Sequence, residues 1–512
     1  MTITSLPRKP GELWWGGVIN EGHAMPFGNR PHSRDLRVTD DNQASPLLLS
    51  NLGRYVWCEE PFAFSVNEGT LTIDHGGELV IEEGHGTLQG AYRHACQAQF
   101  PPSGVTPDKL AFMAPQYCTW VEMFYEPTQE KLLHYARSII ENGFPPGVLI
   151  IDDNWMQDYG TWDFEKHRFP DPAGMIASLH ELGFKIMLWV CPYVSPDSIK
   201  FRQLRDLGVL MKHADGTPVL RRWWNGYSAV VDYTSEAGAA WFKQQLDRLA
   251  ADYGVDGFKL DAGEPILPDL LHDVTQPVAW SLPVRPMEDC EAYARLGIGY
   301  PLSELRMCWK LGGQALIQRQ RDKTHSWDAA TGLSGLIPNA IAQGLMGYAY
   351  NCPDMVGGGM DGDINSPHFR FDAELFVRFV QCSALFPAMQ FSMAPWRVLN
   401  GEELSWCMDA VRIRSELGPA LAELADQAAE EGLPILRSLE FVYPQQGFHA
   451  VTDQFMVGDS ILVAPVVQKG QTSRRIQFPE GRWQGDDGSV VEGPLQVEVS
   501  APLSRLPWYR KI

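Results

Sequence analysis

Residues 171–194 read DPAGMIASLHELGFKIMLWVCPYV, and GVLIIDDNW precedes them at 147–155. LIIDD and KIMLWV are unbroken apolar runs of strand length, and DPAGMIASLHELGF between them reads as a helix. A buried strand, a helix and a second buried strand are the unit of a parallel sheet. Working outward, AFMAPQYCTW at 111–120 is strand-like. In PTQEKLLHYARSIIENGF, Leu132, Leu133, Tyr135, Ala136, Ile139 and Ile140 sit at helical spacing, and Gly143 ends the run. Downstream, SEAGAAWFKQQLDRLAADYGV predicts a helix capped by Ser235, and DGFKLDAGE the next strand. QALIQRQRD, IPNAIAQGLMGY and YAYNCPDM continue the alternation. Six or more such steps favour a closed (β/α)8 TIM barrel over a doubly wound sheet.

The flanks read differently. Before residue 106, TLTID and ELVIEE are strand-like and separated by the turns NEG and HGGE, with no long helical period. After residue 432, QFMVGDSILVAPVV and RRIQFPEGRW return to strand patterns. The expected architecture is a short N-terminal β-sandwich (1–105), a catalytic barrel (106–432) and a small C-terminal β-domain (433–512).

The chain has 512 residues, 45% hydrophobic and 21% charged, enough to bury a large core. Aromatic residues make up 11%, with 17 Trp, which excludes disorder as the main state. A net charge of −21 repels phosphate and argues against nucleic acid. No apolar stretch is long enough to span a membrane, and MTITSLPRKPGELWWGG lacks the core of a secretory signal. Nine scattered cysteines without a CxxC pair point to free thiols in a reducing compartment. The expectation is a cytoplasmic enzyme, monomeric or a symmetric homo-oligomer, with no cofactor and no metal. Neither a dinucleotide loop, a Walker loop, GxSxG nor HExxH is present.

Barrel enzymes carry their chemistry at the carboxyl ends of the strands. There this sequence places Asp152 and Asp153, Trp189, Lys259 and Asp261, Arg319 and Arg321, Trp327 and Asp328, and Asp354. Carboxylates accept bonds from vicinal hydroxyls and indoles stack on pyranose faces, so the set suits a sugar. Two carboxyl groups across a glycosidic bond can act as nucleophile and acid. A neighbouring ammonium such as Lys259 keeps the first ionised, and a less charged setting, as at Asp328 beside Trp327, keeps the second protonated.

FKLDAGE resembles the nucleophile strand of glycoside hydrolase family 31. LIIDDNW, the 163–194 block, RWWNG, PDMVGGG, LPILRSLEFVYP and QFMVGDSILVAPVV come in that family's order, so the resemblance covers about residues 45–475. RWWNG, KLDAGE, SWDAATGLSGLIP and FPAMQFSMAPWR resemble the branch of myogenesis-regulating glycosidase and related α-galactosidases. The resemblance implies a retaining exo-α-glycosidase acting on a small glycoside or oligosaccharide. It makes Asp261 the nucleophile, Asp328 the acid/base, Asp152 and Asp153 the grip on distal hydroxyls, and Trp189 the subsite wall. Lys259, Arg319 and Asp354 become ring contacts, with Arg321 the alternative to Arg319. The family's usual Arg-Asn-His run is replaced by Gln390-Phe391-Ser392, which speaks against plain α-glucosidase activity. Glucose, xylose or an acidic sugar clamped by Arg319 and Arg321 are the alternatives, beside transglycosylation and a non-catalytic sugar-binding role.

Overall fold

The computed structural model describes residues 2–39, 42–265 and 285–512. The apolar runs form the predicted barrel. Its strands are β1 (Gln116–Cys118), β2 (Val148–Ile151), β3 (Lys185–Val190), β4 (Gly257–Leu260), β5 (Leu302–Leu305), β6 (Ile317–Arg319), β7 (Asn351–Cys352) and β8 (Gln390–Phe391). They pair in parallel in sequence order, and β8 returns to β1. The seam between β7 and β8 is bridged by Ala388 N–H to the Asn351 carbonyl at 3.0 Å and Val356 N–H to the Gln390 carbonyl at 2.8 Å. Strands this short are supported by outer faces that are mostly apolar and buried.

The helices start where the sequence carries caps. Thr128, Asp171 and Ser235 each accept the N–H of the third residue onward and open helices Gln129–Glu141, Pro172–Glu181 and Glu236–Tyr253. Gly143 and Gly254 come after two of them with φ of 83° and 79°, a conformation that costs glycine nothing.

Register fixes what points inward. Trp189 pairs with Lys259 across β3 and β4, and Lys259 with Glu304 across β4 and β5. The barrel interior therefore holds a polar cluster: Gln116, Lys259, Glu304, Arg319 and Gln390 are all buried. Gln390 Nε2 bridges Gln116 Oε1 and Glu304 Oε2, at 2.8 Å each.

Two four-stranded antiparallel sheets precede the barrel, and a six-stranded antiparallel sheet spans 436–511 after it. Two features depart from the sequence reading. Helix Leu88–Gln99 occupies the end of the N-terminal segment. Leu88, Ala91, Tyr92, Ala95 and Cys96 do recur at helical spacing and are buried, but two of the five are alanines and Gly90 interrupts the run, which weakens the apolar signal. The second departure is a missing crossover helix between β5 and β6. The N-terminal strand Ala44–Ser50 takes its place, exchanging backbone bonds with Cys308 and Lys310. Just before it, Asn42 Nδ2 donates to the Arg306 carbonyl at 2.7 Å, and Gln43 Nε2 to the carbonyls of Arg306 (2.6 Å) and Arg319 (2.7 Å). The N-terminal segment thus holds the two strand ends from which Arg306 and Arg319 project.

Gln43→Leu would leave those buried carbonyls short of a donor, at a cost of about 1–3 kcal/mol. Urea unfolding should show that loss; a change below about 0.5 kcal/mol would mean the carbonyls find other donors.

Candidate active site

The carboxyl ends of the strands open into one cavity of about 460 Å³, a size suited to a small ligand. Of the residues the sequence singled out, Asp152, Asp153, Trp189, Lys259 and Asp261 line it. Its floor is an ion pair: Lys259 Nζ lies 2.7 Å from Asp152 Oδ2, both almost wholly buried. Burial opposes the charge on Lys259, but Asp152 outweighs it and raises the ammonium above its ordinary value. Cys118 also donates its thiol to Asp152 Oδ2, at 3.0 Å.

Asp261 comes just after β4. Its Oδ1 accepts from Arg306 Nε at 2.8 Å, and its Oδ2 from Trp189 Nε1 at 3.0 Å. Burial would lift its pKa, yet Arg306, Lys259 and Arg319 hold it well below the usual carboxylate range. Asp261 is thus an anion whose shape and charge are fixed in advance. The next residue, Ala262, takes a φ of 57°, as Asn154 (69°) and Asp354 (83°) do at other strand ends. Non-glycine residues held this way concentrate at functional sites.

Asp153, the neighbour of Asp152, faces away from Lys259. Burial, then the adjacent Asp152 charge, pushes it up to about 7. Its Oδ2 accepts from Tyr159 Oη (3.1 Å) and Asn225 Nδ2 (3.0 Å). Asn225 comes from RWWNG, which turns between the strands Leu220–Trp223 and Gly226–Val230.

Arg319 and Asp354 stand behind the cavity rather than in it, both fully buried. Arg319 Nη1 contacts Asp354 Oδ1 and, at 2.7 Å, Asp322 Oδ1, while Nη2 is 3.7 Å from Asp261 Oδ1. Neither Arg319 nor Arg321 lines the cavity. Gln390 lies deeper in the barrel, and Ser392 Oγ accepts the Val121 N–H, so that run does not reach the cavity either.

Asp328 is a correction. It lies outside the cavity, exposed, and Oδ1 caps its own turn by accepting from Ala330 N–H (2.8 Å) and Thr331 N–H (2.7 Å). Burial pushes its pKa up, but bonds from Ser326, Thr331 and Ala330 win and lower it, the reverse of what a proton donor needs. Trp327 turns its Nε1 to Asp372 at 3.1 Å. Asp322 lines the cavity instead. It comes three residues after Arg319, which ends β6.

Sequence reading also missed Arg306, because LSELRMCWK carries no apolar run to mark β5. Trp120, Tyr125, Trp224, Glu264, Met360 and Asp361 complete the wall, most of them on excursions beyond the strands. Arg306 binds both Asp261 and Glu264.

A parallel barrel with carboxylates, tryptophans and engaged cations at its strand ends belongs to the class of (β/α)8 enzymes that act at that face. The chain matches the glycosyl hydrolases family 31 TIM-barrel domain over residues 109–294 and that family's C-terminal domain over 432–511. It belongs to glycoside hydrolase family 31, a retaining family. It is 31% identical over 413 residues to myogenesis-regulating glycosidase of Mus musculus, covering 78% of this chain and 56% of that protein. Against an alpha-xylosidase of Emericella nidulans it is 30% identical over 499 residues, 91% of this chain and 60% of the other. The chain spans roughly half to three-fifths of the length of these relatives. Among solved structures, a GH31 alpha-xylosidase from a soil metagenome complexed with xylose shares the fold, with a TM-score of 0.84 at 22% identity, over 99% of this chain and 79% of that one.

Removing one partner of a buried ion pair strands the other, at about 3–5 kcal/mol. Lys259→Met should therefore destabilise the protein by that amount in urea unfolding, and Lys259→Met with Asp152→Leu should recover most of it. A double variant as unstable as the single one would show that the pair is not the source.

Proposed function

We propose that the chain is a retaining exo-α-glycosidase in which Asp261 is the nucleophile and Asp322, not Asp328, is the acid/base. One observation carries the reading: a single buried guanidinium, Arg319, touches both carboxylates, and both face the same cavity. In the first step an Asp261 oxygen bonds to the anomeric carbon, the bond to the leaving oxygen breaks, and Asp322 gives that oxygen its proton. A β-linked glycosyl-enzyme results. Asp322 then takes a proton from water as the water attacks the same carbon, and two inversions give net retention. Exo action is supported by the cavity floor, where Asp152 and Lys259 close off the barrel.

The electrostatics support an uncharged sugar. Asp152, Asp153, Asp261, Glu264, Asp322 and Asp361 line the cavity against Lys259 and Arg306, which are themselves paired with acids. An acidic sugar would meet net negative charge and no clamp from Arg319 or Arg321. Among neutral sugars we favour galactose. Of the two sequence arguments for it, the Gln390–Ser392 run lies outside the cavity, so the paired Asp152 and Asp153 carry the choice. The nine buried, unpaired cysteines support a reducing, cytoplasmic setting.

Asp261→Ala should fold and lose several orders of magnitude in kcat. Asp322→Ala should spare activated aryl glycosides relative to alkyl ones and yield an α-glycosyl azide with added azide, while Asp328→Ala stays within about threefold of wild type. Full activity in Asp322→Ala with loss in Asp328→Ala would reverse the assignment.

For the sugar, kcat/KM on nitrophenyl α-galactoside should exceed that on the α-glucoside by at least about tenfold, and Asp153→Ala should narrow the gap. A preference for glucoside or xyloside would remove galactose and leave the catalytic pair in place.

A further inference from the structure

The arm beyond Asp322 carries a histidine the proposed chemistry does not use. His325 is bonded to the segment that supplies Met360, Asp361 and Gly362 to the cavity wall. That wall belongs to an excursion between β7 and the next barrel helix, Ala373–Ser383, and it leaves and re-enters the body of the protein at Gly357 and Asp372. One imidazole joins the two ends. Nδ1 is 2.7 Å from the Gly357 carbonyl, and the Asp372 N–H reaches Nε2 at 2.8 Å. A carbonyl only accepts and a backbone N–H only donates, so the tautomer is fixed: the proton is on Nδ1 and Nε2 is bare.

The same arm is pinned on its other side. Lys323 N–H donates to Asp354 Oδ2 at 2.7 Å, and the Lys323 carbonyl accepts from Gly359 and Met360 N–H at 3.0 and 3.1 Å. His325 N–H donates to Asp363 Oδ2 at 2.6 Å. Trp120 Nε1 holds the Gly359 carbonyl at 2.9 Å. Asp322 and the facing wall are thus parts of one hydrogen-bonded unit, closed at its neck by the imidazole.

We propose that His325 is a positioning residue: its neutral Nδ1–H form clamps the neck of 357–372, keeps Asp322 in register with the wall, and releases both on acidification. The proposal builds on Asp322 as the acid/base. Protonation puts a hydrogen on Nε2 facing the Asp372 N–H, so one bond is exchanged for a donor–donor clash. The groups around the ring set when this happens. Asp363 and Asp372 favour the imidazolium; Lys469, 2.8 Å from Asp372 Oδ2, partly neutralises the latter. Phe371, stacked at 5.3 Å, and Phe369 are uncharged and exclude water. Burial prevails over the two carboxylates, so the ring titrates below an ordinary histidine. The clamp is therefore intact above that pKa and is lost as pH falls through it. Asp261, held far lower, stays ionised over the same range.

The test is amide hydrogen exchange across 357–372 on the resting protein at about pH 7.5 and about pH 5, corrected for intrinsic rates. Wild type should lose protection there by at least about tenfold at the lower pH, while helix Glu236–Tyr253 is unchanged. His325→Gln should show no such pH dependence. His325→Phe keeps the stacking but has neither bond, and it should show the low-pH exchange at both values. In kcat/KM profiles on nitrophenyl α-galactoside and a galactosyl disaccharide, the acid limb should move in His325→Gln, more for the disaccharide. Equal pH dependence in wild type and His325→Gln, or wild-type protection in His325→Phe, would overturn the proposal. Exchange needs no turnover, so this outcome is separate from failure of Asp322, which Asp322→Ala decides.

Discussion

A guanidinium buried to 1% exposure is the constraint around which the site is arranged. Arg319 meets Asp261, Glu304, Asp322 and Asp354. Burial alone would penalise its charge, but four acids more than restore it. Only arginine can serve here. Its planar fork offers donors in several directions at once, where an ammonium is a single point. Because the four acids come from the ends of β4, β5, β6 and β7, Arg319 fixes the relative positions of half the barrel mouth. Its own backbone is held by Asn42 and Gln43, so the N-terminal segment contributes to the site without entering it.

The charge count around the cavity explains what such a site can stabilise. Eight acids, including the buried Glu304 and Asp354, face three cations, Lys259, Arg306 and Arg319, each paired. A formal excess of acids is complementary to positive charge that develops at an anomeric carbon in a glycosidase transition state. Each of these cations is engaged with a carboxylate. They hold carboxylates in place, and Asp261 shows the result most clearly, with a cation on one oxygen and an indole N–H on the other.

The barrel was legible because strands buried on both faces leave long apolar runs, as in LII and KIMLWV. The same rule hid β5, whose inward Glu304 breaks the run, and with it Arg306. Strand ends were a sound guide to Asp152, Lys259 and Asp261, since a side chain one residue past a barrel strand has little choice of direction. They failed at Asp328, nine residues beyond β6, where the chain has already turned and the carboxylate serves its own backbone. Asp322, closer to the strand, had the better claim on that principle. The wall residues were not legible at all, because loop geometry, not periodicity, brings Tyr125, Trp224 and Asp361 together. The Gln390 run shows the converse error: a departure from a family pattern near the right strand was read as a change in the cavity, whereas the side chain is a layer below it.

Adjacent acids on one chain cannot both face the same partner, and Asp152 and Asp153 divide accordingly. Asp152 turns inward to Lys259 and the Cys118 thiol at the floor. Asp153 turns to Tyr159 and Asn225, which belong to the walls raised after β2 and β3. The anion beside it raises its proton affinity toward neutrality. A carboxyl balanced in this way can offer a hydroxyl either a donor or an acceptor, which a fixed anion could not. The doubled acid therefore makes two different sets of contacts, one with the barrel floor and one with the loops. Asp153 is thus held by residues of the loops, and Asp152 by residues of the strands themselves.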